Sequence, residues 1–159
     1  ARSDLSIALA VWGQLGPTVV RLDEPRYPLH VNLRVGTVMS LFNTITGRVF
    51  AAYLPEKMVR SMLEDEHRRV VGGSSAPFDT PEVQALLADI RATGMGRGLS
   101  MPQQGVNTLC APVFGADGQI VLVMTMIGPQ GVFDADIDGP AGRLLREHAA
   151  NVSRRLGAR

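Results

Sequence analysis

The sequence predicts an α+β domain, a mostly antiparallel sheet of about five to six strands with flanking helices. Three observations predict it. Two apolar runs between Gly105 and Pro129 flank Ala116-Asp117-Gly118, and Asp-Gly tolerates the positive φ that a tight hairpin needs. A second pair of apolar runs, Leu5 to Trp12 and Thr18 to Leu22, is joined by a Gly13 to Pro17 turn. Around and between these pairs lie segments whose apolar residues recur at helical spacing.

Taken in order, the Leu5–Trp12 and Thr18–Leu22 runs form a first hairpin. His30 to Val35 alternates His, Val, Asn, Leu, Arg, Val and reads as a third strand with one exposed side. Gly36 to Phe42 connects it to a helix beginning near Asn43 or Thr44, whose side-chain oxygens suit an N-cap, and running to about Tyr53. Pro55 fits the first position of the next helix, where Met58, Val59, Met62 and Leu63 make one stripe. Arg68 to Pro77, with Gly72-Gly-Ser-Ser, reads as a loop.

Thr80-Pro81-Glu82 combines a cap, a proline at the first helical position and an early carboxylate, and Val83, Leu86, Leu87 and Ile90 carry the helical period. Gly94 to Gly98 ends that helix and returns the chain to the sheet. The last helix places Ala141, Leu144, Leu145, His148, Ala149, Val152 and Leu156 on one face, and Gly157 suits its end. In the run after Asp117-Gly118, one side carries Val121, Val123, Thr125 and Ile127, and the other Ile120, Leu122, Met124 and Met126. Neither side is polar, so this hairpin is expected to be covered on both faces.

Composition narrows the function classes. The 159 residues suit one domain, and 16 basic against 15 acidic residues leave a net charge of +1 with no polybasic run. Nucleic-acid binding needs a clustered positive face. The local excess at Arg143, Arg146, Arg154, Arg155 and Arg159 is read as cations offsetting a helix C-terminus. The single cysteine, Cys110, excludes an intrachain disulfide and points to a reducing compartment. No apolar run reaches the ~20 residues of a membrane span. The chain starts at Ala1 inside a folded-looking segment, so a fragment of a longer protein is expected.

A catalytic constellation is not legible. There is no nucleophile elbow, phosphate-binding loop or metalloprotease His pair. His30, His67 and His148 lie far apart with no ligand spacing, and His148 reads as a core residue. Glu64-Asp-Glu66 reads as a solvated helix face, and the Gly94 to Gly98 glycines follow a helix, the wrong context for a dinucleotide. Binding is better supported. The helix start at Asn43-Thr-Ile-Thr-Gly47 presents unpaired amides and two hydroxyls, and Thr108 and Thr125 stand one in each hairpin strand among aliphatic neighbours. Such a mixture suits a small organic ligand.

Three landmarks in order resemble the effector-binding domain of IclR-type bacterial transcription regulators. They are Thr44-Ile-Thr-Gly-Arg-Val-Phe-Ala-Ala-Tyr-Leu-Pro55, the Ala-Pro-Val-Phe hairpin closing on Ile-Gly-Pro129, and Asp-Gly-Pro-Ala-Gly-Arg-Leu-Leu before a terminal helix. The resemblance covers roughly residues 4–157. It implies a GAF-like sensory fold, a homodimer or tetramer in the cytoplasm, no cofactor or metal, and operator DNA contacted only through an absent N-terminal winged helix-turn-helix. It also implies an effector pocket lined by Val31, Met39, Ile45, Thr46, Gly98, Val106, Thr108, Thr125 and Ile127, with the amides of Ile45 and Thr46 facing the ligand's carboxylate. Thr108 stands where a Cys can occur in the family, Ile127 replaces a hydroxyl, and Gly98 stands where some members carry an acidic side chain. The expected effector is therefore a larger or aromatic carboxylate. Gly72-Gly-Ser-Ser and Gly94 to Gly98 are the hinge candidates. Two other readings stay open: a small enzyme using Cys110 or a Thr hydroxyl, and a ligand-free dimerisation module.

Overall fold

A computed structural model describes residues 5–25, 33–69, 76–101 and 103–159. The strands are β1 (Ser6–Gly13), β2 (Gly16–Asp23), β3 (Gly96–Gly98), β4 (Val106–Phe114) and β5 (Ile120–Pro129). The helices are α1 (Ile45–Tyr53), α2 (Glu56–Arg69), α3 (Pro81–Thr93) and α4 (Pro140–Arg155). The strands form one five-stranded sheet in the order β2-β1-β5-β4-β3, antiparallel throughout.

Alternation along the strands divides the core between two helical layers. Cys110 of β4, Val123 of β5 and Ala10 of β1 face α1, α2 and α3, packing with Val49, Phe50, Val59 and Leu87. The intervening residues Leu109, Ala111, Val113 and Met126 face α4, packing with Leu145 and Ala149. Every residue of β4 from Val106 to Val113 is buried, as expected for a hairpin strand covered on both faces. β5 is less enclosed, because Val121, near the hairpin turn, is exposed.

Local sequence accounts for the boundaries. Thr44 caps α1, its Oγ1 accepting from Gly47 N at 3.0 Å. Thr80 caps α3 with Pro81 behind it, and Gly94 closes that helix in the left-handed region at φ 78°. The β4–β5 turn closes through Gly118 N to Gly115 O and Gly115 N to Gln119 O.

Several expectations need correction. Residues 30–32 of the anticipated third strand lie outside the described residues, and Leu33 to Val35 are not strand. Thr37 instead bonds back to Arg34 in a turn, and the chain then runs beside β2 through a single bridge, Thr18 to Val38. Pro55 precedes α2, its carbonyl accepting from Met58 and Val59. Within the predicted stripes, Met58 and Leu86 are exposed. The buried line of α4 is Gly142, Leu145, Ala149 and Ser153, leaving Leu144, His148 and Leu156 in solvent. Small residues decide that rotation, because Gly142 and Ala149 let the helix lie close to its neighbours. The Gly72-Gly-Ser-Ser segment lies outside the described residues.

Candidate functional site

The site begins at the start of α1. Gly47 N is taken by the Thr44 cap and Arg48 N by Thr44 O, while the amides of Ile45 and Thr46 have no partner within the helix. The first turn carries no acidic residue, so the positive end of α1 is not neutralised by its own sequence. Before the helix, Arg48 Nε donates to Phe42 O at 2.7 Å, and Thr44 Oγ1 donates to Ser40 O at 2.7 Å. These bonds fold the Ser40–Thr44 turn back over the helix end.

This turn is also held from α2. Glu66 is buried, and its carboxylate accepts from Leu41 N at 2.8 Å and from the Ser40 hydroxyl at 3.3 Å. By sequence, Glu64-Asp-Glu66 reads as a solvated face, and Glu66 departs from that reading. It points inward because the turn offers it a buried amide, which stabilises a buried carboxylate.

Beside the helix end lies a cavity of about 250 Å³ lined by Leu33, Thr37, Val38, Met39, Ser40, Thr44, Ile45, Thr46, Gln103, Thr108, Thr125 and Ile127. Among the described residues, the lining contains no charged side chain. Its polar floor is a hydroxyl pair, Thr46 Oγ1 and Thr125 Oγ1 at 2.9 Å, with Cys110 Sγ behind them at 3.2 Å from Thr125 and 3.7 Å from Thr46. Thr108 donates its hydroxyl hydrogen to Met101 O at 2.6 Å.

Of the residues expected to form the pocket, Met39, Ile45, Thr46, Thr108, Thr125 and Ile127 line this cavity together. Val106 lies buried with Ile127, Ala8 and Val19 in the adjoining apolar cluster and does not line it. Gly98 lies beneath Ile45: a Cβ there would come within 2.7 Å of the Ile45 side chain, so this glycine gives α1 room to lie against the sheet. Val31 is outside the described residues. Sequence reasoning missed Leu33, Thr37, Val38, Ser40 and Gln103 as lining. For Thr37 and Ser40 a signal was present, since both stand within a few residues of the helix cap. For Gln103 there was none.

Cys110 is fully enclosed, and burial pushes its thiol up to about 11, only partly offset by its bonds to Thr125 and Thr46. At neutral pH it is a neutral thiol and a poor nucleophile. Iodoacetamide at pH 7.5 should therefore leave Cys110 unmodified in the folded protein and label it in denaturant. Rapid native labelling, read by mass spectrometry, would contradict this. Among the described residues, no group of three or more His, Cys, Asp and Glu is placed to hold a metal ion. No helix among them is long and apolar enough to cross a membrane.

Comparison with known proteins identifies the family to which this fold is similar. Residues 1–154 match the family described as bacterial transcriptional regulator IclR C-terminal. Among solved structures, the fold is similar to Pseudomonas aeruginosa HmgR, with 35% sequence identity and a TM-score of 0.84 over 98% of this chain and 60% of that one. It is similar to Thermotoga maritima IclR at 21% identity and TM-score 0.79, covering 98% of this chain and 63% of that one. It also resembles the C-terminal domain of the E. coli transcriptional regulator KdgR, at 18% identity and TM-score 0.75 over 98% of this chain and 89% of that one. The chain thus spans about 60% of the length of HmgR. No curated protein matches it in sequence.

Proposed function

This chain belongs to the IclR C-terminal family of bacterial transcriptional regulators, a regulatory domain and not an enzyme, and from that premise we propose that it senses a small organic carboxylate in the cavity beside α1. The observation that carries this reading is the positive end of α1, where the Ile45 and Thr46 amides have no partner within the helix, beside a cavity whose described lining is largely apolar and carries no charged side chain. Helix-terminal amides suit an anion without requiring lysine or arginine. Thr46 and Thr125 supply the hydroxyls that orient the ligand, and Met39, Ile45 and Ile127 favour an apolar or aromatic body over a two-carbon oxoacid.

In the whole protein, the effector shifts the arrangement of a homodimer or tetramer and thereby the DNA affinity of an N-terminal winged helix-turn-helix outside this chain. Such a shift requires that the ligand prefer one arrangement, since equal affinity moves nothing. A cytoplasmic protein fits that role.

A thermal-shift screen against aliphatic and aromatic carboxylates tests the reading. A ligand at ~100 times its dissociation constant adds roughly 2.7 kcal/mol, which for a domain of this size raises Tm by about 5–10 °C. A structure-dependent rise of that size, with the largest shifts for acids bigger than glyoxylate, is the expected result. A flat panel from a well-folded protein would count against carboxylate sensing, and highest affinity for glyoxylate-sized acids would overturn the size inference.

A further inference from the structure

We propose a second, separate ligand site for an anionic molecule with an aromatic or long aliphatic body, in the cleft between α4 and the outer end of β4. The cleft, open to solvent along its mouth, has a volume of about 910 Å³, against about 250 Å³ for the cavity beside α1, and the two share no lining residue among those described. Its size falls within the ~300–1,000 Å³ range of small-molecule sites.

The fold explains why the cleft exists. β3 pairs only with Thr108, Leu109 and Cys110 of β4, so beyond Cys110 no strand among the described residues covers that edge of the sheet. Across the gap, α4 presents Ala149 and Ala150, too small to fill it. The edge is also closed to strand addition. Pro112 has no N–H to offer, and the Phe114 amide is already bound by Ser153 Oγ at 3.0 Å. An added β-strand is therefore a poor occupant, and a compact ligand a better one.

Charge selects the ligand class. Arg146 and Arg154 of α4, together with Arg159, line the cleft, and none of them forms an ion pair with a described residue. Arg146 is held across the mouth by one bond, Nη2 to Thr93 O at 3.3 Å, which leaves its other N–H groups directed to solvent or ligand. Among the described residues of the lining the one acidic side chain, Asp117, accepts from Gln119 N in its own hairpin turn. Inside, Phe114 and Tyr53 stand edge to face with ring centroids 5.2 Å apart, an apolar surface for a hydrocarbon body. Cations at the rim of an aromatic floor recognise an organic carboxylate or sulfonate.

The test is fluorescence titration of the intact 159-residue chain with 1-anilinonaphthalene-8-sulfonate, against its neutral analogue N-phenyl-1-naphthylamine. The expected result is saturable one-to-one binding of the sulfonate, at least tenfold tighter than the neutral dye, and weakened several-fold by raised salt. Arg146→Glu with Arg154→Glu should lower affinity tenfold or more. Ala150→Trp, an exposed position, should block the cleft without changing its charge. Val38→Trp, which fills only the cavity beside α1, should leave dye binding unchanged. Equal binding of the two dyes, insensitivity to both cleft variants, loss of binding in Val38→Trp, or no saturable binding would each overturn the proposal. Run in the Val38→Trp background, the same titrations read the cleft alone, whatever the first cavity takes.

Discussion

Replacing Gly47 with alanine is expected to cost the domain about 3 kcal/mol or more, above the usual range for an added methyl group, and to abolish effector binding with it. A Cβ at this position would stand 2.3 Å from Ser40 O and 2.4 Å from Leu41 O. Both obstacles are backbone, so no side chain can rotate away. Either α1 withdraws from the sheet or the Ser40–Thr44 turn opens, and the second breaks the Thr44 cap and the Glu66 contacts together. Gly131 offers the control: a Cβ there meets nothing within 4 Å, and its φ is not positive. Urea unfolding of both alanine variants checks this. Gly47→Ala should unfold at a markedly lower midpoint with Gly131→Ala unchanged, and equal midpoints would refute the close-approach account.

Glu66→Ala has the second large effect. It removes the acceptor of the buried Leu41 amide, and a buried donor left without a partner costs about 1–3 kcal/mol, with bonds to charged groups toward the upper end. The loss is also directed at function, because Ser40 and Leu41 carry the turn that places the α1 amides beside the cavity. Glu66→Gln keeps a carbonyl oxygen for Leu41 N, so it should recover much of the stability. Carboxylate affinity should fall severalfold in Glu66→Ala and less in Glu66→Gln, measured by calorimetry on protein well below its Tm. An affinity unchanged in Glu66→Ala would show that the cavity wall does not rely on this residue.

The same two residues mark how far the site was legible in sequence. Thr44, Ile45 and Thr46 were readable because capping is local: a hydroxyl, a helical period and free first-turn amides occupy consecutive positions. Thr108 and Thr125 were readable as one hydroxyl in each hairpin strand among aliphatic neighbours, and the strand register brings them to one cavity. Glu66 was not. Its position suggested a solvated run, and only the approach of a turn some twenty-five residues earlier in the chain supplies the amide that brings its carboxylate inside. Gly98 was readable as part of a turn but not as the space Ile45 occupies, because that contact joins a helix to a strand across the domain.

By itself the sequence determined the α+β class, both hairpins, the caps of α1 and α3, and the ordered landmarks of the IclR C-terminal family. These rest on turn chemistry, capping and periodicity, all carried by residues a few positions apart. Tertiary structure alone decided the rest. It placed a turn at Arg34 to Thr37, at the end of the expected third strand, rotated α4 onto its small residues, and chose which of the expected residues meet in one cavity. It also left the arginines of α4 beside a cleft, where the sequence suggested only compensation of a helix dipole. The physical reason is common to all four: each outcome depends on how closely two distant backbones approach. That distance is set by the volumes of side chains packed between them, which no local pattern records.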